Sequence, residues 1–195
     1  MNTKNSVQTM TIAALLSAIA ILIPMFAPKF ILEPASFTLA SHVPIFIAMF
    51  ISPYIAVAVA IISAIGFLLA GIFPIVVVLR ALSHIVFAVV GSILLKKNKN
   101  FLNTTGGFVI FGLLMALIHA VCEVTVVTFF YWGNNMTSGY YDKGYLFSVI
   151  LLVGVGTIIH SMIDFTIAFA VWKPLQKVVS IPASVRTSKQ REARY

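Results

Sequence analysis

The sequence predicts an all-α membrane protein, a bundle of six transmembrane helices with both termini in the cytoplasm. Three observations predict it. The 195 residues are 61% hydrophobic and only 9% charged, with a mean hydropathy of +1.06, far outside the composition of a soluble domain. Proline, glycine and charge cut the chain into apolar runs, most of them near the roughly 20 residues that a bilayer-spanning helix needs. The basic residues then gather on one face of the topology that those runs imply.

The runs fall at about 7–26, 37–51, 54–71, 74–95, 106–131 and 145–172. The first follows a lone Lys4, outlasts the apolar core of a signal peptide and has no small-x-small cleavage site, so it is expected to be retained as a helix. Pro24, Pro28 and Pro34 then surround a connection containing Lys29 and Glu33. The second run is short for a span, which suggests little tilt or a partly re-entrant path. Ser52-Pro53 and the Gly71–Pro74 stretch leave room only for tight turns on either side of the third run. Lys96-Lys97-Asn98-Lys99-Asn100 closes the fourth, and a longer loop from Trp132 to Gly144, rich in Asn, Gly and Tyr, follows the fifth.

Six crossings place Lys4, Lys96, Lys97, Lys99, Lys173, Lys177, Arg186, Lys189, Arg191 and Arg194 on one face, which is therefore expected to be cytoplasmic. Lys29 and Lys143 on the other face are balanced by Glu33 and Asp142. The chain divides into a transmembrane domain over 1–178 and a basic cytoplasmic tail over 179–195, expected to be solvated beside anionic lipid headgroups. The net charge of +8 does not indicate nucleic acid, because the basic residues form no stripe interleaved with aromatics. The single Cys122 excludes disulfides and CxxC chemistry.

Three helices share one pattern: Arg80 and His84, His119 and Glu123, His160 and Asp164, each pair spaced i, i+4. That spacing puts both groups of a pair on one helical face, and exposure of such a face to hydrocarbon costs several kcal/mol. The three stripes must therefore turn toward a shared interior. A rise of about 1.5 Å per residue puts Arg80 about 9 Å and Glu123 about 12 Å from the outer end, with His84 and His119 nearer the midplane. His42 can join them from the start of the second run, whereas Asp164 is expected nearer the cytoplasmic side and is the weaker ligand candidate. Arg80 and Glu123 can pair with each other, contact a ligand, or do both. In the outer loop Trp132 and Asn134, with Tyr131, Asn135, Tyr140 and Tyr141, form an interface belt or a lid.

No HExxH, P-loop, GxSxG or EF-hand pattern occurs. No cofactor is expected, and any ATP-driven work falls to another polypeptide. Three histidines and two carboxylates can in principle hold a divalent ion, but an adjacent Arg80 opposes a cation, so no metal is expected.

Ala14-Leu-Leu-Ser-Ala18 in the first helix, Ser41-His42-Val43-Pro44-Ile45-Phe46 with its continuation to Pro53, and Leu79-Arg80-Ala81-Leu82-Ser83-His84 together resemble the substrate-binding S components of energy-coupling factor (ECF) vitamin importers. The resemblance covers residues 1 to about 178. It implies a solute site that opens outward, is formed by helices four to six and is covered by the loop after helix one, about 27–36. It also implies partners: a transmembrane T component, docked through the close-packing small residues Ala14 and Ala18, and two ATPase subunits. Arg80, with His84 and His119, complements a carboxylate such as that of nicotinate or pantothenate. Glu123 suits instead a neutral pyridoxine or hydroxymethylpyrimidine. The competing readings are an autonomous proton-coupled carrier, with the histidines and carboxylates as a relay, and an intramembrane acid–base enzyme.

Overall fold

A computed structural model describes residues 3–32, 35–178 and 183–185. The chain is helical almost throughout, and five helices are long and apolar enough to cross a membrane. Helix α1 (Thr3–Phe26) ends where Pro28 denies it a further donor. An antiparallel hairpin follows, β1 (Lys29–Leu32) and β2 (Ala35–Thr38), with Leu32 opposite Ala35. These are the only two strands among the described residues. They replace the irregular cover that the sequence suggests after helix one.

Helix α2 (Val43–Ile51) has nine residues, all buried. At 1.5 Å per residue it is about 14 Å long, half of a hydrocarbon core, so it does not span the membrane as the sixth helix of the expected bundle. The other elements follow the punctuation of the sequence closely. Helix α3 (Pro53–Ala70) starts at Ser52, whose Oγ accepts from the Ile55 N–H, and stops at Gly71, whose φ of +68° forms the left-handed cap. Helix α4 (Ile75–Lys97) ends on Lys96 and Lys97, cations at the negative end of the helix dipole. Helix α5 (Thr105–Trp132) is capped by Thr104, whose hydroxyl accepts from the Gly107 N–H. A one-turn helix α6 (Ser138–Asp142) sits in the outer loop. The last crossing begins as a wide i→i+5 helix over Leu146–Val155 and continues as α7 (Gly156–Val178).

The core surrounds α2. Phe46, Phe50, Phe87, Phe111, Phe165 and Trp172 are wholly enclosed, with Phe50 against Phe165 at 6.2 Å and Trp172 at 5.9 Å between ring centres. The end of this core is sealed by residues 183–185. The Ser184 and Val185 N–H groups donate to the Ile51 and Phe50 carbonyls (3.1 and 3.0 Å), and the Trp172 indole donates to the Val185 carbonyl (3.2 Å). These bonds satisfy α2 carbonyls that would otherwise be orphaned in an apolar interior. Ser184 and Val185 are thus buried, not solvated as the tail was expected to be. The basic positions Arg186, Lys189, Arg191 and Arg194 lie outside the described residues.

Candidate functional site

The start of α2 is a helix N-terminus held in the middle of the bundle, and its first N–H groups need acceptors. His42, at the N-cap, supplies no side-chain cap. The acceptor comes from α7: Asp164, fully buried, accepts from the Ala40 N–H through Oδ1 (2.8 Å) and from the His42 N–H through Oδ2 (2.9 Å). A carboxylate at the positive end of a helix dipole is electrostatically favoured. The His42 Nδ1 lies 3.0 Å from the same Oδ2. A carboxylate only accepts, so Nδ1 is the donor, and in the neutral ring Nε2 keeps its lone pair.

Around His42 stand three more imidazoles, with ring centres 4.8 Å (His84), 4.5 Å (His119) and 5.0 Å (His160) away. The His160 Nε2 lies 3.0 Å from the Ser41 hydroxyl and 3.3 Å from Asp164. On the other side Glu123 receives the Arg80 Nε–H (2.6 Å), pairs through the same oxygen with the Arg80 Nη2, and has His84 Nε2 3.3 Å from its second oxygen. All six buried histidine and carboxylate side chains among the described residues, His42, His84, His119, Glu123, His160 and Asp164, belong to this one assembly. The stripes predicted from i, i+4 spacing do converge.

Above the assembly opens a cavity of about 470 Å³. His42, Arg80, His84 and Glu123 are in its wall, together with Ala20 and Pro24 of α1, Lys29 and Thr38 of the hairpin, Ser63 and Phe67 of α3, and Asn135, Met136 and Tyr140 of the outer loop. Burial raises the Tyr140 phenol above its ordinary value, so it stays protonated and able to donate. The hairpin is pinned by Phe37, buried against His160 with ring centres 5.6 Å apart. A Cβ at Gly156 would stand 2.5 Å from the Phe37 ring, so the contact needs that glycine.

This differs from the sequence reading in four ways. The cavity is walled by the hairpin and α1 to α5 with the outer loop, and no residue of α7 lines it. His119 and His160 sit behind His42 and do not reach the cavity. Trp132 is 68% exposed and packs on Tyr131 and Tyr145, and Asn134 is exposed as well; neither lines the cavity, where the neighbouring Asn135 does. Asp164 is at the centre of the assembly. Counting at 1.5 Å per residue placed it too deep, because the i→i+5 stretch before it advances less per residue than an α-helix. On α1, Ala14 and Ala18 are exposed while Leu16, Ser17 and Ala20 face inward.

Over 179 residues, 91% of this chain and 79% of the relative, the sequence is 39% identical to a Lactococcus lactis subsp. cremoris (strain MG1363) protein named niacin transporter NiaX. No family model matches the chain, and no solved structure does.

Proposed function

From the premise that this chain belongs to the S components, the substrate-binding membrane subunits of ECF vitamin transporters, we propose that its outer cavity captures nicotinate for uptake. The observation that carries the reading is the guanidinium in the cavity wall. Arg80 directs two of its five N–H donors, from Nε and Nη2, at a single oxygen of Glu123. The rest stay available to a carboxylate, which a planar guanidinium binds through paired hydrogen bonds. Glu123 holds that fork in place. Lys29 at the mouth adds a positive charge, the Tyr140 hydroxyl can donate, and Phe67 and Phe73 give flat apolar wall for a pyridine ring. A cavity of about 470 Å³ is ample for one small heteroaromatic acid.

The hairpin and α2 together form the second crossing of the membrane in this reading, so six passages return both termini to the side of Lys96, Lys97, Lys173 and Lys177, the cytoplasmic side. ATP-driven release then depends on the T component, docked on the exposed Ala14 and Ala18, and on two ATPase subunits. The proton-carrier reading draws on the continuous chain of imidazoles and carboxylates from Asp164 to Glu123. Against it stands the inner core, which contributes no buried ionisable group among the described residues to carry a proton onward.

Titration of the detergent-purified protein with nicotinate, pantothenate, pyridoxine and hydroxymethylpyrimidine tests the substrate, and liposomes with and without the partner subunits test the mechanism. The proposal expects saturable binding of nicotinate and uptake only in the complete complex. Uptake by the isolated chain would establish the carrier in its place.

A further inference from the structure

One buried polar atom in the assembly has no partner. The His119 Nε2 makes no hydrogen bond, in a side chain that is 0% exposed. Glu123 Oε1 lies 3.5 Å away without hydrogen-bonding geometry. Leaving an imidazole nitrogen unsatisfied in an apolar interior costs about 1–3 kcal/mol. The arrangement around it accounts for the cost. One ring nitrogen each from His42, His84 and His119 lies within 4.8 Å of the other two, and each ring has an oxygen partner: His42 has Asp164 (3.0 Å), His84 has Glu123 (3.3 Å) and His119 has the Ser161 hydroxyl (3.4 Å). Carboxylate and hydroxyl partners of this kind are what orient metal-binding histidines.

We propose that His42, His84 and His119 bind a divalent transition-metal ion of the zinc class, with the fourth position turned to the cavity that His42 and His84 line. Three imidazoles and an open position are the donor set of such an ion and not of calcium or magnesium, which take oxygen. The objection that Arg80 repels a cation loses its force in the fold, because Arg80 is neutralised by Glu123. Asp164 then remains as a buried negative charge, and with neutral imidazoles the assembly carries an excess of one, which a cation offsets. A rival trio, His42, His160 and Asp164, is already engaged. Its carboxylate receives two backbone N–H groups, and its His160 Nε2 is bonded to Ser41. The proposal is independent of which solute occupies the cavity.

The test uses the full chain, free of any histidine tag, purified in detergent, stripped with a chelator and titrated with Co²⁺ alone. One equivalent should bind with the visible absorption bands of a four-coordinate site, and Zn²⁺ should displace it. His119→Ala, which removes a ligand, should weaken binding by about 100-fold or more, beyond the roughly 10–100-fold that loss of an outer-shell partner costs, while His160→Ala should leave it within about threefold. X-ray absorption of the cobalt-loaded wild-type protein reads the ligands without any substitution and should find imidazole nitrogens at about 2.0–2.1 Å. Absence of the bands, an oxygen-only ligand shell, or loss in His160→Ala with His119→Ala unaffected would overturn the assignment. Nicotinate titration of the same stripped protein fails or succeeds separately, so the two readings are distinguishable.

Discussion

At the start of α2, His42 is surrounded by three imidazoles and a carboxylate, whereas two turns further along the same helix Phe50 is enclosed by Phe165, Phe169 and Trp172. One nine-residue helix thus joins a polar half to an aromatic half. The polar half can bind because its charges are preorganised by each other: Arg80 by Glu123, His42 by Asp164. The aromatic half can do nothing chemical, and that is its use. It closes the end opposite the cavity with interlocked rings, and the segment 183–185 ties that closure to the last helix. If the cavity captures a solute as proposed, the described residues of the opposite half contribute no buried ionisable group that would offer it a polar route onward.

The contrast predicts that substitutions in the two halves fail differently. The largest effect is expected at the ion pair. Arg80→Ala leaves Glu123 charged and unpaired, which should lower stability by about 3–5 kcal/mol and reduce nicotinate affinity by about 100-fold. The double variant Arg80→Met/Glu123→Leu should regain most of the stability and none of the affinity, as read by thermal unfolding in detergent and calorimetric titration. Equal recovery of both would break the distinction. Next comes the inner core. Lipid is as apolar as the protein interior, so Phe165→Ala loses mainly packing and not transfer energy, and should cost less than the roughly 3–5 kcal/mol of the same change in a soluble core, with affinity changed less than threefold. Asp164→Asn keeps one acceptor for the α2 N-terminus and loses the charge. It should destabilise by about 1–3 kcal/mol, and, through His42, weaken binding several-fold. The smallest effect is expected at Trp132→Ala, where the ring faces outward and affinity should stay within about twofold of wild type.

How much of this was legible in the sequence depends on which physical signal each feature leaves. Bilayer spans are written in composition, and α3, α4 and α5 fall within two residues of the expected runs because Pro53, Pro74, Thr104 and Gly71 punctuate them. The convergence of Arg80, His84, His119, Glu123 and His160 was legible from helical periodicity and from the cost of charge in lipid. Other features left weaker traces. The hairpin is two four-residue strands, too short for alternation to stand out beside prolines. Helix α2 reads as an apolar run whether it spans or is buried, since hydropathy does not distinguish lipid from protein as surroundings. The i→i+5 stretch has no residue signature, and it moved Asp164 from the edge of the assembly to its centre. Trp132 and Asn134 were chosen by residue type in a loop whose fold decides which neighbour turns inward, and it is Asn135 and Tyr140 that do.

The most direct test of the account is calorimetric titration of the purified wild-type chain with nicotinate and with its neutral amide, nicotinamide, under identical conditions. A charge-assisted hydrogen bond is worth about 1.5–3 kcal/mol, so the account predicts one site per chain that binds nicotinate about 10- to 150-fold more tightly than nicotinamide. Equal affinity for the two, or no binding of nicotinate at all, would contradict the role given to Arg80 and to the cavity that contains it.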